Sequence, residues 1–214
     1  MDTKLILFPC GGNAREATVV VDALRTAGQG FEVLGFLDDN PPRVAPGAIL
    51  GGRAVWESWR GRARLLAVPG SPANYLGRMA LIDSFALTAA DSPTLVDPLT
   101  RVAASATIGF NTLVMAHGYV GDHAKVGNHC VLLSHVVVSH DTHVGDYTLI
   151  GAHASIAGGV RIGRNCYVGA SSSVREGVTI GDGAMVGMAA NVIADVPARA
   201  VVVGNPARVL RMQR

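Results

Sequence analysis

The chain has 214 residues, of which 49% are apolar, 16% charged and 5% aromatic, and it carries a net charge of +2. So small a charge argues against a nucleic-acid or anionic-membrane partner, and no apolar run approaches the ~20 residues of a membrane span. The length suits one large domain or two small ones, and a core this poor in aromatic residues must be built from Val, Ile, Leu and Ala.

The first segment, MDTKLILFPCGGN, is apolar for only a few residues, so it reads as a strand and turn and not as a secretion signal. KLILF (4–8), FEVLGFLDDN (31–40) and RLLAVPGS (64–71) read as strands, with helix-like stretches at 14–28 and 73–83. Alternation of this kind predicts a small Rossmann-like parallel α/β domain over residues 1–92. Ligands of such sheets bind at the carboxyl ends of the strands. Gly11 and Gly12 sit there, before a helix whose amides can meet a phosphate, although two plain turn glycines fit equally. Asp38 and Asp39 can take base or ribose hydroxyls, or simply form a solvated strand end.

From Val102 to Val192, every sixth residue is Val, Ile or Leu, sixteen positions in succession, and Gly follows in nine of them. The residue two before the aliphatic is mostly small. A period of six matches neither a helix nor strand alternation. It predicts a solenoid of 18-residue coils, a left-handed parallel β-helix over residues 93–214, with the aliphatics inside and glycine permitting the turns. Cys130 and Cys166 hold the small inner position, so they read as packing residues. Three distant cysteines, odd in number, fit a reducing, cytosolic compartment.

All seven histidines lie between 117 and 153. Five share one phase of the repeat, and His117, His135 and His153, spaced by 18, should stack as a ladder. His140 breaks the phase and is followed by Asp141. Imidazole titrates near working pH and suits proton transfer, and a neighbouring carboxylate can fix its tautomer. Because adjacent strand residues face oppositely, Asp141 reaches its own His140 only across a bend.

The repeat, with the glycine turn, FLDD and a third strand before it, resembles the hexapeptide-repeat sugar O- and N-acyltransferases of the sialic-acid and bacillosamine type. The resemblance implies acetyl-CoA as co-substrate, a nucleotide-linked amino sugar as acceptor, no metal, and a homotrimer with its active site between solenoids. By position it implies that Gly11, Gly12, Asn13, Asp38, Asp39 and Asn74, with Pro72 and Ala73, hold the nucleotide. It makes His140 the base with Asp141 beside it, and the Gly158 amide the donor to the thioester carbonyl oxygen. It also sets Gly204, Asn205, Pro206 and Ala207 along the coenzyme A groove, with Arg208 or Arg211 near its phosphates. The chain departs from the pattern at Asn13, where most members have His, and at Leu133 and Leu149, where many carry Asn and some a second His.

The acceptors implied are 4-amino-4,6-dideoxy sugars such as GDP-perosamine or a UDP-bacillosamine precursor, with O-acetylation as the alternative. A zinc lyase of the γ-carbonic-anhydrase kind would use His135 and His140, but its third ligand falls on Leu99. A non-catalytic solenoid is the remaining reading.

Overall fold

The computed structural model describes residues 2–213. The N-terminal unit contains β1 (Thr3–Phe8), α1 (Gly12–Thr26), β2 (Phe31–Leu37), β3 (Ile49–Gly51), α2 (Trp56–Trp59), β4 (Arg64–Ala67) and α3 (Arg78–Asp83). Its strands form one parallel sheet in the order β3-β2-β1-β4. The apolar positions of α1 recur at helical spacing, and Ala14, Ala17, Val20, Val21 and Leu24 are buried. Sequence patterning found three of the four strands. The three-residue β3, which follows a Pro-rich stretch, is too short to show a period. The expected helix over 73–83 is a 3-10 turn at Tyr75–Gly77 leading into α3.

The rest of the chain is the β-helix. Two-residue strands each pair in parallel with the strand one 18-residue coil away, as Lys125 with His143 and Val126 with Val144. They assemble into three parallel faces. A domain face runs from Leu95–Val96 to Ala200–Val203, a second face from Arg101–Val102 to Asn191–Val192, and a third from Thr107–Ile108 to Thr179–Ile180. The solenoid thus starts one hexad before Val102, at Val96, which keeps the count of six. The aliphatics point inward into one continuous core, in which Val138, Ile150, Ile156 and Val168 are fully buried. Cys130 and Cys166 lie in it, and burial pushes both thiols up to about 12.

The turns of the repeat are not made where the sequence suggests. The glycine after each aliphatic does not make the turn, since none of the nine adopts a positive φ. A Cβ at Gly121 would lie 2.8 Å from the His140 backbone nitrogen, and one at Gly151 2.5 Å from that of Ala170, so these glycines let one coil lie against the next. The turn comes two residues later, at a positive-φ position held by Asn111, His117, His123, His129, His135, Asp141, Tyr147 and His153 among others. Asn, Asp and His are the side chains that best tolerate this left-handed backbone, which explains the shared phase of five histidines.

The Val and Ile of the repeat fill the core and leave the outer surface to other residues. The outward positions of the second and third faces are largely polar, among them Arg101, Ser155, Ser173, Lys125, His143 and Arg161. Only the domain face is apolar outside, through Leu95, Leu113, Val131, Leu149 and Tyr167, and the N-terminal unit covers it with Leu5, Ala14, Ala17 and Val21.

A polar seam runs beside that contact, along the corner between the third and domain faces. Asn111 pairs with both backbone groups of Ala67, at 2.8 and 2.9 Å, as a strand would. The His129 carbonyl accepts from Arg78 at 2.6 Å, the Tyr147 hydroxyl donates to Asp83 at 2.5 Å, and Asn165 donates to the Leu76 carbonyl at 3.1 Å. Tyr75 donates to the Gly183 carbonyl at 2.8 Å. One positive-φ residue from each of five coils thus locks the two units together.

Candidate active site

His140 lies at the corner between the second and third faces, the corner opposite the domain face. Its Nδ1 is 2.9 Å from Asp141 Oδ2, and both side chains are exposed. The bend that this adjacent pair requires is present, because Asp141 has φ 58°. The imidazole N–H holds the Asp141 carboxyl below the usual carboxylate range. With Nδ1–H donating to the carboxylate, the lone pair is left on Nε2.

Gly158 lies one coil beyond His140. A Cβ built there would come within 2.5 Å of both Cε1 and Nε2 of the ring, so the imidazole occupies the space left by the missing side chain. Among the described residues nothing accepts from the Gly158 amide, whereas the next amide, of Gly159, donates to the His140 carbonyl at 2.9 Å. A basic nitrogen and an amide donor with no partner among the described residues therefore belong to neighbouring coils at one corner. This is the arrangement that an acyl transfer needs, with a base for the attacking group and a donor for the developing oxyanion.

Two neighbours escaped sequence reasoning. His143 Nδ1 donates to the Asp141 carbonyl at 3.2 Å and holds the bend. Asp122, one coil before His140, accepts at its backbone carbonyl from Asp141 N–H at 2.9 Å, and its carboxylate takes the Ser105 hydroxyl. Their spacing from His140, three residues on and 18 back, was the available signal.

The other histidines separate by corner. His117, His135 and His153 form the expected ladder, with ring centroids 4.9 and 4.5 Å apart. His129 is buried in the seam, stacked on Tyr147 at 4.6 Å, and its Nδ1 accepts from Asn111 at 2.9 Å. Burial, followed by the Arg78 charge, lowers it to about 4. His135 and His140 stand at opposite ends of the Val137–Val138 strand, on different corners, and Leu99 is exposed, so no three-ligand zinc set forms among the described residues.

The loops that the resemblance assigns to a nucleotide gather at the carboxyl ends of β1, β2 and β4. Gly11 caps α1 without a side-chain bond, and a Cβ at Gly12 would meet nothing within 4 Å, which leaves open space before the helix. Asp38 ties two loops, accepting from the amides of Cys10 and Asn40 at 2.8 Å each. Asp39 pairs with Arg53 at 3.1 Å. Asn13 donates to the Val68 and Gly70 carbonyls at 3.1 and 3.3 Å, and Asn74 accepts from the Ser71 amide at 2.8 Å. Leu149 is buried in the interdomain core and Leu133 packs against it. These loops and His140 belong to different sides of the chain, because the N-terminal unit packs on the domain face and its seam.

At the far end, the segment around Gly204 closes the solenoid. The Gly204 carbonyl accepts from Asn191 N–H at 2.9 Å, Asn205 pairs with the Asn191 side chain at 3.1 Å, and Ala207 packs on the core. Arg208 and Arg211 are exposed. Asn191 is three strands from Val137 on the second face, about 14 Å at ~4.8 Å per strand. The surface between His140 and Asn205 is therefore long enough for an extended ligand.

The hexapeptide-repeat family described as bacterial transferase hexapeptide (six repeats) matches residues 141–176. Comparison with curated protein sequences gives no match. Among solved structures, the chain is similar to the acetyltransferase domain of PglB from Neisseria gonorrhoeae, also solved with acetyl coenzyme A. Identity there is 26%, over 98% of this chain and 100% of that one, with a TM-score of 0.85. Perosamine N-acetyltransferase from Caulobacter crescentus, solved as a His-to-Asn mutant with CoA and GDP-perosamine, is 25% identical over 99% and 98% of the two chains, with a TM-score of 0.83. WeeI from Acinetobacter baumannii, at 23% identity and a TM-score of 0.82 over 98% of this chain and 100% of its own, shares the fold. The unbroken hexad count, the hexapeptide match over residues 141–176 and these full-length likenesses lead to one conclusion: the chain is an acyltransferase built on a left-handed β-helix, with the two-domain plan of these acetyltransferases.

Proposed function

We propose that the enzyme transfers the acetyl group of acetyl-CoA to the amine of a nucleotide-linked 4-amino-4,6-dideoxy sugar, of the GDP-perosamine or UDP-bacillosamine-precursor type, with His140 as base. The observation that carries this reading is the His140–Asp141 pair, held over the side-chain-free Gly158. The relatives solved with acetyl-CoA or with CoA and GDP-perosamine support the two ligands.

In this mechanism the amine nitrogen attacks the thioester carbonyl carbon. The carbonyl oxygen gains charge and accepts from the Gly158 amide. His140 Nε2 takes the proton from the attacking nitrogen, Asp141 stabilises the imidazolium, and the carbon–sulfur bond breaks to release coenzyme A as the thiol after protonation. The rest of the coenzyme extends over the second face toward Gly204, Asn205, Pro206 and Ala207, with its phosphates near Arg208. Gly11, Gly12, Asn13, Asp38, Asp39 and Asn74 frame the nucleotide site. Since those loops lie away from His140 of their own chain, the sugar bound by one subunit is acetylated at the corner of the next, which fits a homotrimer in the cytoplasm.

The test is a panel of UDP-, GDP- and dTDP-linked 4-amino sugars and their 4-hydroxy counterparts, titrated with acetyl-CoA while thiol release is followed. Turnover with an amino sugar supports the reading. Turnover with hydroxy sugars alone makes the enzyme an O-acetyltransferase, and hydration of carbon dioxide without thiol release would make it a lyase.

A further inference from the structure

The ladder of His117, His135 and His153 has no part in the chemistry described above. Each of its members follows a domain-face strand and precedes a second-face strand, so the ladder runs along the corner between those two faces. Its rings are exposed and stacked on one another, and none has a carboxylate within ion-pairing distance among the described residues. The opposite edge of the second face carries His140, Asp141 and Asp122. Asp141 gives Oδ2 to His140, its Oδ1 has no partner among the described residues, and the Asp122 side chain is exposed beside it. One corner thus offers imidazole N–H groups without acceptors, and the other offers carboxylates.

Outward charge decides which face can turn toward a symmetry axis. The N-terminal unit covers the domain face and the seam, which leaves the second and third faces. The third face carries Lys125, His143 and Arg161 in one register column, so three copies around an axis would crowd like charges. Beyond Arg101, the second face presents Tyr119, Val137, Ser155, Ser173 and Asn191, none of them charged. In a ring whose axis runs along the solenoids, rotation keeps every residue at its own height. His135 and His140 bracket one strand, Val137–Val138, and so stand at nearly the same height. With the second face inward, the ladder corner of one subunit meets the His140 corner of the next.

We propose that a second copy of the chain is the ladder's partner. His135 of one subunit faces His140 of its neighbour and, as a positioning residue, donates to the Asp141 oxygen that His140 leaves free. The contact rests on the homotrimer of the function proposed above, and it makes the ladder the part of the site that a single chain lacks.

Cross-linking tests the contact. Ser134 and Ser139 are half-buried at the two ends of the same strand, and Ser134→Cys with Ser139→Cys leaves every contact named here in place. Within one chain the two positions are about 16 Å apart at ~3.3 Å per residue, beyond a short bis-maleimide. With that reagent the double variant should give covalent dimers and trimers on a denaturing gel, and each single variant only monomers. Cross-linking of Ser134→Cys alone would mean that ladder corners meet one another and would overturn the proposal, as would a double variant that stays monomeric. Kinetics test the role. His135→Ala should lose roughly tenfold in kcat, the scale of a lost hydrogen bond to a charged group, with KM for acetyl-CoA unchanged. His135→Gln keeps an N–H and should retain most of the rate. His135→Ala chains mixed with His140→Ala chains should regain activity, because an intact pair then forms between two chains. Full kcat in His135→Ala, or no gain on mixing, rejects the role of His135. The gel needs no substrate, so a chain that cross-links as expected but acetylates no amino sugar refutes the function and keeps the contact.

Discussion

At the scale of single residues, the site depends on a missing side chain as much as on a present one. Gly158→Ala would put a methyl group 2.5 Å from His140 Nε2 and displace the ring. We expect a loss of kcat as large as that of His140→Ala, within the ~10²–10⁴-fold that a positioned base contributes, with an unchanged melting temperature. Steady-state kinetics beside a thermal melt would check this, and an active Gly158→Ala enzyme would show that the ring can sit elsewhere. His140 and Asp141 were legible in the sequence as an out-of-phase His-acid pair, and the bend between them follows from the repeat. Asp38 was legible as a polar strand end and Asn74 only by resemblance, since their in-chain partners, the Cys10 and Ser71 amides, depend on loop geometry that no period encodes. Cys130 and Cys166, with burial raising both thiols to about 12, should resist iodoacetamide at pH 8 until the chain unfolds.

At the scale of elements, the hexad repeat made the solenoid readable because each inward aliphatic reports on the same core. Ile150→Ala, at a position with no solvent exposure, should cost roughly 2–5 kcal/mol in denaturant unfolding. The interdomain seam was harder to see. Its signal was a subperiod of 18 within the 6, the apolar outward residues Leu95, Leu113, Val131 and Leu149, which only a three-faced coil brings into line. His129 in this seam makes stability depend on pH. Its folded value, about 4, lies below its ordinary 6.5, so the unfolded chain binds a proton first as pH falls. The stabilisation is complete above about 6.5 and is lost toward 4, on the order of 3 kcal/mol in all. Urea unfolding from pH 7 to 4 should show this slope in the wild type and a flatter one in His129→Gln. Equal slopes would remove His129 as the cause.

At the scale of the whole molecule, the N-terminal unit covers the one apolar outer face of the solenoid, and His140 lies at the opposite corner. Sedimentation should give a mass near three times the 22.1 kDa of the chain. Mixed assemblies of His140→Ala and Asp38→Ala chains should regain part of the activity that each lacks alone, because an intact nucleotide loop of one subunit then serves an intact His140 of another. A fully active monomer would overturn the shared site. Coil length was open to sequence reasoning and a site between solenoids was implied by resemblance, but that the N-terminal unit covers the face opposite His140 is encoded in no six-residue period.

The central claim is that acetyl transfer takes place at His140, over Gly158. Its most direct test is the rate of thiol release from saturating acetyl-CoA with the best amino-sugar acceptor, compared between wild type and His140→Ala. The expected result is a clear fall in kcat with little change in KM for acetyl-CoA, moderate for an amine acceptor and near-complete for a hydroxyl. Full kcat in His140→Ala would contradict the claim.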